Sequence, residues 1–474
     1  MNPPPRLRVS ACALALLIGM SGGSPAIAQP SGNPRPDVVA FVHATVIPMD
    51  TQRMLRDQTV VVASGAIIAV GPASTVKVPA EALRVDATGR YLLPALCDMH
   101  VHLVGEAWNI MMPAGQRPAA KDLPQEQFLF PYLANGVTTV QALSATPEEL
   151  ELRSRIARGD LVGPRLILAR MIDGPKKAWP PPISTWVASA AEARAAVRQS
   201  KAAGYDKIKA YSFLDRESYD ATVETAREVG MDVIGHIPMA LSLEYVLDAG
   251  QKLIAHSEEV MKHAGGDYSP GRIDYFATTL ATRGAWMTPT LATSKAILDT
   301  LDRPDSAFAI PEAVYFRHPL EHGVWSFIID NLYRPVSPSA REALRDGFER
   351  FQKPLTRAFH EKGGKLMAGS DTIIPGLVPG FGLHRELVEL VHAGLTPYEA
   401  LRTSTTRPFE YLGEIDSAGT VEVGKRSDLI LVTGNPLEDV SAVSKIAGVL
   451  AHGRWIGADE IATRMKQIAT AGGR

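Results

Sequence analysis

Apolar positions along the middle of this chain gather into eight short runs, at 92–102, 138–143, 165–169, 207–211, 233–236, 253–256, 286–290 and 366–371. Their lengths suit buried strands, and the stretches between them carry helical punctuation instead. Between the fourth and fifth runs Asp215 stands where an N-cap belongs, Tyr219, Val223 and Ala226 share one helical face, and Gly230 can close the helix. After the eighth run, Thr396-Pro397-Tyr398-Glu399 combines a capping box with proline at the first helical position. This alternation predicts an α/β protein of βα units around a parallel sheet, and eight such units make a TIM (β/α)8 barrel. Outside that region, strand-like runs recur at 38–47, 58–62 and 66–70 and again at 419–425, 428–432 and 446–451.

Unusual side chains stand at or near the ends of five runs: His100 and His102 in the first, Lys209 in the fourth, His236, His256 and Asp371 closing the fifth, sixth and eighth. Catalytic groups of a TIM barrel lie at the C-terminal ends of its strands, so these positions converge on one site. Alternate strand residues share a face, which lets His100 and His102 present two imidazoles to one point. Imidazole and carboxylate donors suit Zn²⁺ and related divalent ions. The same periodicity puts Lys207, Lys209 and Tyr211 on one face, so register alone leaves the choice between the two lysines open. Asp98 shares the face of His100 and His102, either orienting an imidazole or capping backbone donors.

With these residues in place the sequence resembles the amidohydrolase superfamily, in particular its imidazolonepropionase-like branch with a carboxylated lysine, which includes Xaa-Pro dipeptidases and ochratoxinase-type carboxypeptidases. The resemblance runs over nearly all of the chain beyond its leader. It implies that the barrel spans 92–412 and that the flanking runs, 37–91 and 413–460, build one small β-sandwich from both ends of the chain. It implies two divalent metal ions, with His100, His102 and Asp371 on one, His236 and His256 on the other, and Lys209 bridging both. The family's Ile-Lys-x-Tyr pattern selects Lys209, which would serve as a carbamate formed with CO₂. A desolvated lysine near metal has a lowered amine pKa and can capture CO₂; the alternative is an ammonium paired with Asp371.

The implied activity is hydrolysis of C–N amide bonds in small dipeptide-like or N-acyl amino acid substrates by a metal-bridging hydroxide, with Asp371 as base and then acid. Ring opening of a cyclic amide or imide is the enzymatic alternative, and a non-catalytic scaffold or binding protein the alternative of another class. A substrate carboxylate would need donors near the barrel mouth, for which Tyr211, Arg317, His318 and His322 are the candidates. The last three fall within 294–339, a stretch long enough for helical insertions or a lid.

Composition narrows the remaining questions. A chain of 474 residues exceeds what one simple core organises, and 46% apolar with 21% charged residues excludes wholesale disorder. A net charge of −2 without a long Lys/Arg run excludes a nucleic-acid footprint. Arg6 and Arg8, the apolar stretch 11–20 and Ala26-Ile27-Ala28 read as a cleavable signal peptide over 1–28, hence a periplasmic or secreted protein. That stretch is about half of the roughly 20 residues needed to span a bilayer, so no membrane association is expected after cleavage. Cys12 precedes most of it, whereas a lipidated cysteine would follow. Only Cys97 survives cleavage, which rules out an intramolecular disulfide and suits a small buried hydrophobe. Nothing in the composition opposes assembly as a homo-oligomer.

Overall fold

The computed structural model describes residues 38–112, 125–175 and 179–471; the leader 1–28 lies outside them. A parallel sheet runs in chain order through Leu96–Val101, Val137–Ala142, Arg165–Asp173, Lys207–Ala210, Asp232–Gly235, Leu253–Ala255, Trp286–Thr288 and Lys365–Leu366. Backbone bonds between the eighth strand's continuation and the first close it into a barrel, Met99 N–H donating to Ala368 at 2.9 Å and Asp371 N–H to His100 at 2.7 Å. Ser184–Trp186 adds a short parallel strand beside the third. The helix Arg216–Glu228 is capped by Asp215, which accepts from Ser218 N–H at 2.8 Å, and it buries Tyr219, Val223 and Ala226. Pro397–Ser404 begins with the expected reciprocal box, Thr396 N–H donating to Glu399 at 2.8 Å.

Both ends of the chain meet in a second, eight-stranded sheet. Val38–Val46 pairs with Leu55–Ala63, Leu83–Asp86 and Tyr91–Pro94, and the last of these pairs antiparallel with Leu429–Val432. Ile446–Ala451 and Arg454–Gly457 complete that flank, and Phe41, Val60, Leu429 and Leu450 share its buried core. This is the small β domain built from both termini, followed by a helix, Ala458–Ala471, that buries Met465 and Ile468.

Three element expectations change. The apolar run 92–102 is two strands, because at Pro94-Ala95 the chain leaves one sheet for the other: Ala95 N–H donates to Asp428 and Leu96 N–H to Gly136, both at 2.9 Å. The run 419–425 forms turns, with Gly419 and Gly424 both at φ +91°, a left-handed conformation that ends a strand. The eighth barrel strand is regular only over Lys365–Leu366, and its continuation hugs the first strand so closely that a Cβ on Gly369 would lie 2.6 Å from that of His100.

Candidate active site

Asp371 is the point on which the site converges. Its Oδ1 lies 2.9 Å from His102 Nε2 and 3.3 Å from His100 Nε2, and ligand atoms of the three residues fall within 4.8 Å of one another. The ladder from Asp98 to Val101 is irregular rather than strictly alternating, a local bulge that aims both imidazoles at one carboxylate. The rings of His100 and His256 are 4.5 Å apart and those of His256 and His236 5.1 Å, so the histidines of the first, fifth and sixth strands form one cluster. His256 and Asp371 have φ of 69° and 51°, and Thr290, at the end of the seventh strand, 50°. Strained backbone at three successive strand ends is a mark of a functional site.

Three of the four imidazoles are tied through Nδ1, leaving Nε2 as the remaining donor atom. His102 Nδ1 meets Glu106 at 2.5 Å and Ser144 Oγ at 2.6 Å, and Ser144 also donates to Glu106. His236 Nδ1 lies 3.0 Å from Ser212 Oγ and 3.2 Å from Glu259. His256 Nδ1 lies 2.7 Å from Thr290 Oγ1, which itself donates to Pro289 O at 2.8 Å and therefore accepts from the ring. His236 Nε2 and both nitrogens of His100 are buried without a hydrogen-bond partner among the described residues. Orphaned ring nitrogens in both halves of the cluster, beside a carboxylate, fit divalent cations with nitrogen and oxygen ligands.

Electrostatics agree with that fit. Burial, with neighbouring cations adding to it, holds His100 and His236 far below the usual imidazole range and takes His256 down to about 4, so all three rings are neutral. Glu259 lies within ion-pair distance of His236, but burial raises that carboxyl as well, and the ring beside it stays neutral. At His102 burial is outweighed by Glu106 and Asp371, which hold it up to about 9; a metal ion bound there would displace a proton. Asp371 stays below the ordinary carboxylate range despite its burial, because His102, His256 and Lys209 surround it.

Lys209 is 1% exposed, with Nζ 5.1 Å from the Tyr211 ring centre, and among the described residues no carboxylate oxygen lies within 4.0 Å of it. Burial lowers its amine pKa. The fifth strand accommodates it through Gly235, where a Cβ would lie 2.7 Å from Lys209 Cγ and 2.5 Å from Ala210 O. Lys207, two residues earlier, is also buried but pairs with Asp232 at 2.7 Å, away from the histidines. Height in the barrel thus separates two lysines that share a face. Asp98 acts on backbone, accepting from Ser370 N–H at 2.9 Å and His100 N–H at 3.4 Å. Cys97 is fully buried, and burial pushes its thiol up to about 12.

Above this floor opens a cavity of about 760 Å³ lined by His102, Lys209, Tyr211, His236, His256 and Asp371 together with loop residues. Arg317, His318 and His322 are not among the residues that line it: Arg317 is exposed, the His318 ring lies edge-on to Phe128 at 5.5 Å, and the His322 ring lies tilted against Phe308 at 4.4 Å. The insertion is helical, as Pro319–Ile328 illustrates, and it presents Ile297 and Ile328 to the cavity instead. Trp325 Nε1 anchors it by donating to Ile373 O at 3.1 Å. Residues unforeseen in the sequence are those that hold the imidazoles: Glu106, Ser144, Ser212, Glu259 and Thr290.

The amidohydrolase family model matches residues 91–456. The imidazolonepropionase of Stenotrophomonas maltophilia is 31% identical over 134 residues, 27% of this chain and 29% of that protein, so the chain matches less than a third of that curated relative's length. Among solved structures, one provisionally described as a prolidase from Bifidobacterium longum is 26% identical with a TM-score of 0.67, covering 92% of this chain and 100% of that one. Bottromycin amidohydrolase is 22% identical with a TM-score of 0.71 over 93% and 91% of the two chains. An Xaa-Pro dipeptidase with methionine in its active site is 21% identical with a TM-score of 0.67 over 89% and 100%. The last two, at their identities, establish likeness of fold.

Proposed function

The chain belongs to the amidohydrolase family, and from that premise we propose a binuclear metal-dependent enzyme that cleaves amide bonds in small dipeptide-like or N-acyl amino acid substrates. The observation that carries this reading is one cluster of His100, His236, His256 and Asp371 with unpartnered nitrogens on His100 and His236, beside a buried lysine with no ion pair among the described residues. His100, His102 and Asp371 would hold one ion, His236 and His256 the other, and Lys209 as its carbamate would span both. Zn²⁺ suits that donor set.

When bound, the ions supply Lewis acidity toward the scissile carbonyl and lower the pKa of water. Asp371 would accept the proton of the attacking water and pass it to the leaving nitrogen, its carboxyl lying below the ordinary range despite burial. Glu106 and Ser144 fix the His102 ring, Glu259 and Ser212 fix His236, and Thr290 fixes His256. Such outer partners set ring orientation and donor strength.

Elemental analysis of fully active enzyme should return about two metal equivalents per chain, since five side-chain ligands and a bridge exceed the set of a single catalytic zinc. Activity that saturates at one equivalent overturns the binuclear reading. A dipeptide and N-acyl amino acid panel run against hydantoins and imidazolones, read by product chromatography, tests the substrate class. Turnover confined to the rings would favour the cyclic-amide alternative, to which the imidazolonepropionase match lends support. We also propose export through residues 1–28; N-terminal sequencing of protein from the periplasm or medium should begin at Gln29.

A further inference from the structure

The loops above the metal-ligand floor are apolar on two sides. Trp179 follows the third barrel strand, Phe213 the fourth and Met239 the fifth, and all three line the cavity. They are held as one wall: Trp179 Nε1 donates to Tyr211 Oη at 3.3 Å, Phe213 N–H to Asp173 at 2.8 Å, and Met239 N–H to Ser212 O at 2.9 Å. Phe213 is 39% exposed and Met239 72%, large apolar groups left in water at the mouth of a cavity. Ile297 and Ile328 line the cavity from the insertion and Ile374 from the loop after the eighth strand.

Fixed positive charge is scarce in the same space. Among the described lining residues there is no arginine, and the Lys262 ammonium is engaged by Glu259 at 2.6 Å and Glu258 at 3.3 Å. An anionic substrate arm reaching past the floor would meet Glu258 and Glu259 rather than a free cation. An apolar arm would cover side chains that otherwise stay hydrated, which is favourable in proportion to the area removed from water. The cavity, at about 760 Å³, falls in the size range of sites that enclose whole small-molecule ligands.

We propose that the amide taken by this site carries a bulky apolar arm, aromatic or branched aliphatic, held by Trp179, Phe213 and Met239 opposite the isoleucine wall. This deepens the amide-hydrolase reading and rests on it for the identity of the reacting group. Three phosphinate analogues that differ only in one arm, benzyl, hydrogen or carboxymethyl, are titrated calorimetrically into the metal-loaded full chain. The benzyl analogue should bind about tenfold or more tightly than the unsubstituted one, the scale of discrimination an apolar pocket achieves. Phe213→Ala and Met239→Ser should each reduce that ratio, and both replace exposed side chains, so folding is not at stake. A ratio near one, tightest binding by the carboxymethyl arm, equal losses for all analogues in the variants, or no binding at all would overturn the proposal. A benzyl preference in a protein that hydrolyses no amide supports the apolar arm and sinks the hydrolytic reading instead.

Discussion

Lys209→Ala should give a folded protein that holds less than its full metal complement and turns over more than about 100-fold more slowly, since loss of a mere outer partner of a metal ligand already reaches 10–100-fold. The expectation follows from what surrounds the side chain. An ammonium 1% exposed and without a carboxylate within 4.0 Å among the described residues would carry a desolvation penalty of several kcal/mol, so burial favours the neutral amine. The neutral amine is the form that combines with CO₂, and the resulting carbamate supplies two oxygens where an alanine supplies none. Because no ion pair is lost, the fold keeps its other contacts and only a cavity remains. A short-chain carboxylic acid added to the variant should recover part of the rate by entering that space. Metal content and turnover, each measured with and without the acid, decide the matter: wild-type values for both would make Lys209 a structural lysine.

How far this site could be read in the sequence depended on rarity. Histidines at 100, 102, 236 and 256 and an aspartate at 371 stand out because strand ends seldom carry such groups, and the structure brings them together. The residues that orient them are serines, threonines and glutamates, types that occur throughout the chain and signal nothing by themselves. Ser144 reaches His102 from 42 positions away, and Thr290 reaches His256 from 34, distances that local pattern does not span. Glu106 was the accessible exception, one helical turn beyond His102.

Fold legibility failed where one pattern served two structures. The apolar run through 92–102 is continuous because both of its halves are buried, yet Pro94 ends one sheet and Leu96 enters the other. The run 419–425 alternates like a strand but is bounded by two glycines in left-handed conformation. Arg317, His318 and His322 were drawn to the site by charge and by the length of their insertion, whereas that insertion meets the cavity with isoleucine. Length indicated that something covers the mouth; only packing determines which face does so.

Asp371→Asn should keep the fold and much of the metal while turnover falls by about 10²–10⁴-fold, the usual cost of removing one proton-transfer group. Asparagine tolerates the left-handed backbone that Asp371 adopts at φ 51°, so the substitution adds little strain. Its amide oxygen remains a neutral oxygen ligand in the place of Oδ1, which now lies 2.9 Å from His102 Nε2. What it lacks is basicity: the amide is neutral at every relevant pH and cannot take a proton from attacking water. The loss should therefore appear in kcat at full metal loading, with substrate affinity less affected. Elemental analysis first establishes that the variant is loaded, and steady-state kinetics then reads the step. Near-normal turnover by a loaded variant would transfer the proton to another group, for which Glu106, tied to His102 and lining the same cavity, is the nearest chemical substitute.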